Sequence, residues 1–285
     1  MACPDCFKGT LRGDATPSGT EAVLHGLDTY ISTPPPGVPS LGTVVLLADA
    51  FGWQLLNTRA LADAYAARVP CTVYVPDVMG GHAPPPQLMN LLEYVPPADA
   101  WLPVRVARRA WALARAVPLL ARFLVRCRAA VVRPRVLAFV RAVRGVVGEG
   151  KVGVAGFCWG GVYAVRLAQA REENVVEGRA VADCVFTAHP TFVKVPSDVE
   201  KVVQPLSVAN GDDDAQMGAR GMVRLRAILE AKNDAAGKEV HEVVVYPGAK
   251  HGFAVRGDRA DALQKERGDK SEDQAVRWFR LHFEA

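Results

Sequence analysis

Short β-branched apolar runs alternate along this chain with stretches whose apolar residues recur every three or four positions. The runs Thr43–Leu47, Thr72–Val75, Lys151–Ala155, Cys184–Thr187, Leu206–Ala209 and Val243–Tyr246 predict buried strands. Leu55–Arg68, Val162–Arg171, Met222–Lys232 and Glu272–Phe283 carry helical spacing instead. Strands that are apolar throughout are buried on both faces, so the alternation predicts an α/β fold: a doubly wound, mostly parallel sheet with helices on both sides. Ala22–Leu24 and Asp28–Ile31 read as an antiparallel pair inside an otherwise irregular lead-in, residues 1–40, which brings the sheet to about eight strands.

The alternation is interrupted once. A Pro-rich loop, His82–Pro97, precedes a helical stretch that holds eleven arginines and no acid between Trp101 and Gly148. Residues 82–148 are therefore expected to be an insertion within a single domain spanning residues 1–285. Pro103, Pro118 and Pro134 are expected to divide its helices, because proline lacks the amide hydrogen and collides with the preceding turn. Arg108, Arg115, Arg122, Arg126 and Arg133 follow one another at spacings of seven and four, a basic stripe opposite Trp111, Leu119, Phe123 and Leu124. Such a stripe fits a non-catalytic module that holds nucleic acid or an anionic membrane. It equally fits a solvated helix face whose field steers an anionic substrate. With no nucleic-acid motif beside it, the second reading is preferred, and neither nucleic acid nor a membrane span is expected as a partner.

Half the residues are apolar, 22% are charged and the net charge is +4, the profile of a globular protein able to bury a full core. No apolar run reaches the roughly 18 residues a membrane span needs. The opening Met1-Ala-Cys-Pro-Asp-Cys-Phe-Lys8 lacks the apolar stretch of a secretory leader, and six cysteines are too few for a disulfide scaffold. A reducing, cytoplasmic setting follows as the expectation. Cys3 and Cys6 form a lone CxxC without the second ligand pair a metal site requires and read as two reduced thiols.

The chemistry concentrates in Lys151-Val-Gly-Val-Ala-Gly156-Phe-Cys158-Trp-Gly160-Gly161, a strand running into Gly-x-Cys-x-Gly and then a helix. This is the pattern of a nucleophile elbow, in which glycines remove the side chains that would collide around a strained turn. The helix start favours thiolate over thiol, and the amide of Trp159 is placed to stabilise an oxyanion. A thiol nucleophile needs a base and the base an orienting carboxylate. Two histidines directly follow predicted strands, His189 and His251; His251 is the preferred base, leaving His189 to structure its loop or line the pocket. Asp212, Asp213 and Asp214 follow another strand; the two nearer Gly211 read as turn residues and Asp214 as the orienting acid. The loop after the first parallel strand, Leu47-Ala-Asp-Ala-Phe-Gly-Trp53, should supply the second oxyanion donor, nominally the Ala50 amide, with Asp49 near the thiol.

These residues resemble the dienelactone hydrolases (carboxymethylenebutenolidases), most closely their fungal branch. The likeness lies in Asp49-Ala-Phe-Gly52 with Asn57 and Leu61-Ala-Asp63, in Val75-Pro-Asp77, in Gly156-Phe-Cys-Trp-Gly-Gly161, in Ala188-His-Pro190, and in Tyr246-Pro-Gly-Ala-Lys-His-Gly-Phe-Ala-Val-Arg256. The resemblance implies an α/β-hydrolase fold and a Cys158, Asp214, His251 triad. It also implies hydrolysis of a small-molecule lactone or ester without a cofactor, by a monomer or homodimer. It places Asp49 where bacterial members carry a glutamate that meets the resting thiol. Arg256 resembles the family's substrate-binding arginine after the catalytic histidine, and Asp49 and Phe51 are expected beside it at the substrate. A thioester or polyketide-type lactone is the alternative acyl donor.

Overall fold

A computed structural model describes residues 16–285 apart from Val95, Ala98 and Ala100; Cys3 and Cys6 lie outside the described residues. In chain order the strands are β1 (Thr20–Leu24), β2 (Leu27–Ser32), β3 (Thr43–Leu47), β4 (Thr72–Pro76), β5 (Val152–Phe157), the two-residue ribbon β6 (Val175–Val176) and β7 (Arg179–Ala180), β8 (Cys184–Ala188), β9 (Leu206–Asp213) and β10 (His241–Lys250). Eight of them form one sheet in the order β1-β2-β4-β3-β5-β8-β9-β10. It is parallel from β4 to β10, and β1 and β2 pair antiparallel at one edge. Every residue of β3, β5 and β8 is buried, as a strand sandwiched between helical layers demands.

The helices are α1 (Leu56–Arg68), α2 (Gln87–Glu93), α3 (Leu102–Arg126), α4 (Ala129–Val147), α5 (Gly161–Leu167), α6 (Gly218–Ala236), α7 (Phe253–Arg256) and α8 (Ala262–Phe283). Helix packing on both sides of β5 is set by two glycines facing opposite ways. A Cβ on Gly153 would lie 2.6 Å from the ring of Phe279 in α8, and one on Gly156 would lie 2.5 Å from the Cβ of Ala164 in α5. Arg144, buried near the end of α4, donates to the Gly148 and Gly150 carbonyls and pairs with Asp183 at 2.6 Å. Asp183 also accepts the Val152 amide, so one guanidinium fastens the insertion to the start of β5.

Several boundaries differ from expectation for identifiable reasons. Helix α5 ends at Leu167 rather than Arg171, because Gln169 turns inward to donate to the Asp198 carbonyl and bridges Val202. Helix α8 begins ten residues earlier than its apolar spacing indicates: Asp261 caps it by accepting from Leu263 and Gln264, and its buried positions there are Gln264, Gly268, Ser271 and Gln274. A polar inner face is invisible to a hydrophobicity pattern. The prolines do not divide the insertion. Pro103 sits in the first turn of α3, where its missing amide is no loss; Pro118 and Pro134 lie inside α3 and α4 on exposed positions, where water can satisfy the freed carbonyl. The break falls at Cys127 and Arg128, so Arg133 belongs to a different helix from the other four arginines of the stripe. Trp111 and Leu124 are exposed; the side of α3 that packs inward is Ala112, Ala116 and Phe123.

Because the ring of Phe279 occupies the space over Gly153, Gly153→Ala should cost about 1–3 kcal/mol of stability through overpacking, read as a lowered urea midpoint with an unchanged slope.

Candidate active site

All the site elements lie at the carboxyl ends of adjacent parallel strands, where an open α/β sheet gathers its functional groups. Strand β5 ends in a three-residue 3₁₀ turn, Cys158–Gly160, before α5. Cys158 has φ +49°, a left-handed conformation that costs a side-chain-bearing residue roughly 1–3 kcal/mol. The flanking glycines make it possible. A Cβ on Gly160 would run into the backbone oxygens of Leu47 and Ala48, and one on Gly161 would lie 2.7 Å from Pro190. The elbow is thus pressed between the end of β3 and the loop after β8.

Three residues distant in sequence meet at this point. His251 Nε2 lies 3.1 Å from the Cys158 sulfur, and His251 Nδ1 lies 2.9 Å from Asp214 Oδ2. The Asp214 and His251 side chains are completely shielded from solvent, and Cys158 is buried. Asp214 is fixed from its other oxygen by the Gln216 amide. Asp212 and Asp213 are exposed and end β9 instead of forming the expected turn, because the strand continues paired with β10; Asp212 accepts the Gly248 amide at 2.6 Å across to that neighbouring strand. Burial opposes a charge on His251, but the Cys158 anion and the Asp214 carboxylate outweigh it and push its pKa up to about 10. That direction favours a proton held on His251 between the sulfur and the carboxylate that flank it.

The Ala188-His-Pro-Thr191 loop closes over the pair. The Thr191 amide donates to the Cys158 carbonyl at 2.9 Å, and its hydroxyl stands 3.5 Å from both the Cys158 sulfur and His251 Nε2. Nothing in the sequence singled out Thr191; its only signal is its place just after a strand, and the adjacency of β8 to β5 is a property of the sheet order. His189 is fully buried with φ +39° and meets the His251 ring edge-on at 5.0 Å. Burial holds its pKa below the usual histidine range, with the Cys158 sulfur opposing that trend. One ligand atom each from Cys158, His189 and His251 falls within 4.8 Å of the others, the one cluster among the described residues able to hold a metal ion.

Asp49, Phe51 and Arg256 come together, but chiefly with one another. Asp49 accepts from the Phe51 amide at 2.9 Å and from Arg256 Nε at 2.6 Å, and the guanidinium lies 5.2 Å from the centre of the Phe51 ring. Both charged side chains are wholly buried. Asn57 adds a bond from α1 to the Val255 carbonyl, so the loop carrying Ala50 is tied to α7, which follows His251. Ala50, Trp159 and Thr191 line a cavity of about 250 Å³ whose other walls include Phe123, Leu124, Val162, Tyr163 and Phe192, with Arg128, Arg166 and Lys194 also at its lining. The corner between α3 and α4 therefore builds one wall of the space beside the elbow.

Two outcomes follow. Iodoacetamide should modify Cys158 at pH 6, where an ordinary thiol with pKa near 8.5 reacts slowly. Cys71 and Cys127, whose pKa values burial raises to about 12 and about 11, should be spared, as should the still more buried Cys184; peptide mapping of the alkylated protein checks this. Asp49→Ala should destabilise the fold by about 3–5 kcal/mol, since it removes the carboxylate paired with a buried guanidinium, measured by denaturant titration.

Residues 27–283 match the model of the dienelactone hydrolase family. A hydrolase of Aspergillus violaceofuscus, pyvD, is 26% identical over 281 residues, covering 96% of this chain and 94% of that one. Dienlactone hydrolase 1 of Gibberella moniliformis is 26% identical over 265 residues, covering 91% and 85%. Among solved structures, the dienelactone hydrolase of Anabaena variabilis superposes with a TM-score of 0.53 at 14% identity, over 93% of this chain and 98% of that one. Propionate-bound esterase 2 of Thermogutta terrifontis superposes with 0.55 at 15%, over 92% and 94%. With an eight-stranded α/β-hydrolase sheet, an elbow at Cys158 and a family match that spans nearly the whole described chain, this protein belongs to the dienelactone hydrolase family.

Proposed function

We propose that this ester or lactone hydrolase works through a thioester acyl-enzyme on Cys158, with His251 as proton carrier and Asp214 as its orienting partner. The observation that supports the reading most is the unbroken buried relay from Asp214 through His251 to the sulfur, at 2.9 and 3.1 Å. The thiolate attacks the carbonyl carbon, and the carbonyl oxygen takes up the electron pair as an oxyanion facing the amides of Trp159 and Ala50. Each such donor contributes on the order of 3 kcal/mol in a water-poor site. Collapse of the tetrahedral intermediate breaks the carbon–oxygen bond, and the imidazolium of His251 gives its proton to the departing alkoxide. The neutral imidazole then takes a proton from water as that water attacks the thioester, and the thiolate–imidazolium pair is restored. Asp214 stays ionised throughout and keeps Nδ1 protonated, so that Nε2 faces the reacting atoms. Asp49, Phe51 and Arg256 hold the Ala50 amide in place from behind.

Lactone opening leaves the alcohol tethered, so reclosure competes unless the alkoxide is removed, as when an enol tautomerises to a ketone. Enol-lactones suit this machinery for that reason. The aromatic cavity wall from Phe123, Trp159, Tyr163 and Phe192 favours a substrate carrying an apolar ring, and the cations Arg128, Arg166 and Lys194 favour an acidic substituent on it.

Turnover of model aryl esters and enol-lactones tests the assignment. Cys158→Ala and His251→Ala should each lose at least roughly 10³-fold in kcat while keeping the far-ultraviolet circular dichroism of the parent. Cys158→Ser should also be slow, because serine lacks a readily formed anion at neutral pH. Undiminished rates in the Ala variants would eliminate the triad.

A further inference from the structure

Helix α3 is the most anomalous surface on the molecule. Of the nineteen large hydrophobic residues exposed among the described residues, nine fall between Trp101 and Val125. Five of them, Leu102, Val106, Leu113, Val117 and Leu124, recur at spacings of four and seven. At about 100° per residue they share an arc of roughly 60° that runs the length of a helix about 37 Å long. That arc lies beside the inward face of Ala112, Ala116 and Phe123 and is itself uncovered. The inward face is what a surface helix needs to pack; a second, exposed apolar stripe needs a different explanation.

Charge narrows the choice of what covers it. Nearly opposite that arc, beyond the inward face, Arg108, Arg115, Arg122 and Arg126 are exposed, with the Arg115 guanidinium 4.9 Å from the centre of the Trp111 ring and Arg122 3.2 Å from His82 Nδ1. No carboxylate among the described residues pairs with any arginine of α3, whereas Arg133 and Arg144 of α4 have Glu173 and Asp183. An exposed apolar stripe with a face of uncompensated arginines on the other side of the helix has the pattern of a helix lying in a membrane interface, its apolar face toward the acyl chains and its polar face toward the phosphates. Nucleic acid would engage the arginines but leave the leucine and valine stripe in water. A second copy stacked α3 against α3 would cover the stripe but leave both arginine faces turned outward without an anionic partner.

We propose that α3 docks this protein on an anionic lipid surface, lying in the plane of the membrane; among the described residues no helix is long and apolar enough to cross one. Leu124 belongs both to the exposed stripe and to the wall of the cavity beside Cys158, so docking sets that wall at the lipid boundary. The binding itself does not depend on the hydrolytic assignment.

Sedimentation with phosphatidylcholine vesicles, with and without phosphatidylglycerol, tests it. The full chain should bind the phosphatidylglycerol vesicles at least about tenfold more tightly, lose that advantage in high salt, and show a blue shift in tryptophan emission on binding. Val106→Glu combined with Val117→Glu, on exposed positions outside the cavity, should abolish binding while the thermal midpoint and aryl-ester turnover stay at parental values. If that variant unfolds, Arg108→Gln with Arg126→Gln serves in its place and should weaken binding several-fold. Equal affinity for both vesicle types overturns the proposal, as does binding indifferent to these substitutions. So do self-association through α3 without lipid binding and retention on duplex DNA alone. Lipid binding by a chain that hydrolyses no ester would leave this inference standing and remove the hydrolytic one.

Discussion

The left-handed turn at Cys158 is the constraint on which the site rests. A side-chain-bearing residue held at φ +49° is costly on its own, and it persists because backbone from two neighbouring strands leaves no room for another path. The carbonyls of Leu47 and Ala48 stand where a Gly160 side chain would go, and Pro190 where a Gly161 side chain would go. Those contacts require β3, β5 and β8 to be neighbours in the sheet. The same adjacency brings Ala50 and Thr191 to one cavity beside the elbow. Strain at one residue and the order of three strands are a single fact seen at two scales.

Electrostatics complete what the turn begins. A thiol sulfur, an imidazole and a carboxyl group lie in line out of water, and both neighbours favour a proton on the imidazole. The proposed chemistry uses that arrangement in both directions, since the proton that stabilises the resting thiolate is the one handed to the leaving group. The second buried ion pair, Asp49 with Arg256, has a mechanical part: it joins the loop that carries Ala50 to the helix after His251.

Much of this was legible in the sequence. Six buried parallel strands and an antiparallel edge pair stood out because a sheet covered on both faces must be built from uninterrupted β-branched runs. Cys158, Asp214 and His251 stood out because each follows such a run, although β9 continues through Asp213, so Asp212 and Asp213 are strand residues and not the turn their place after Gly211 suggested. What stayed hidden depended on packing rather than pattern. The first half of α8 buries glutamine, glycine and serine, so no apolar period marks it, although Gln264 helps set the His251 loop by bonding Gly248 and Lys250. Thr191 acts through the adjacency of two strands far apart in the chain. The prolines of α3 and α4 misled because their cost depends on whether the orphaned carbonyl faces water.

The buried tie between Asp49 and Arg256 and the cavity wall at the α3–α4 corner divide the site into parts of unequal plasticity. One part is cross-braced, so a change at any member disturbs the rest and selection has little latitude there. The other is a helical corner attached mainly by its inner face and by Arg144, where residues can be exchanged without touching the braced part. Diversification of such a protein would proceed by drift at the corner: new ring systems admitted, the bond-breaking step inherited unchanged.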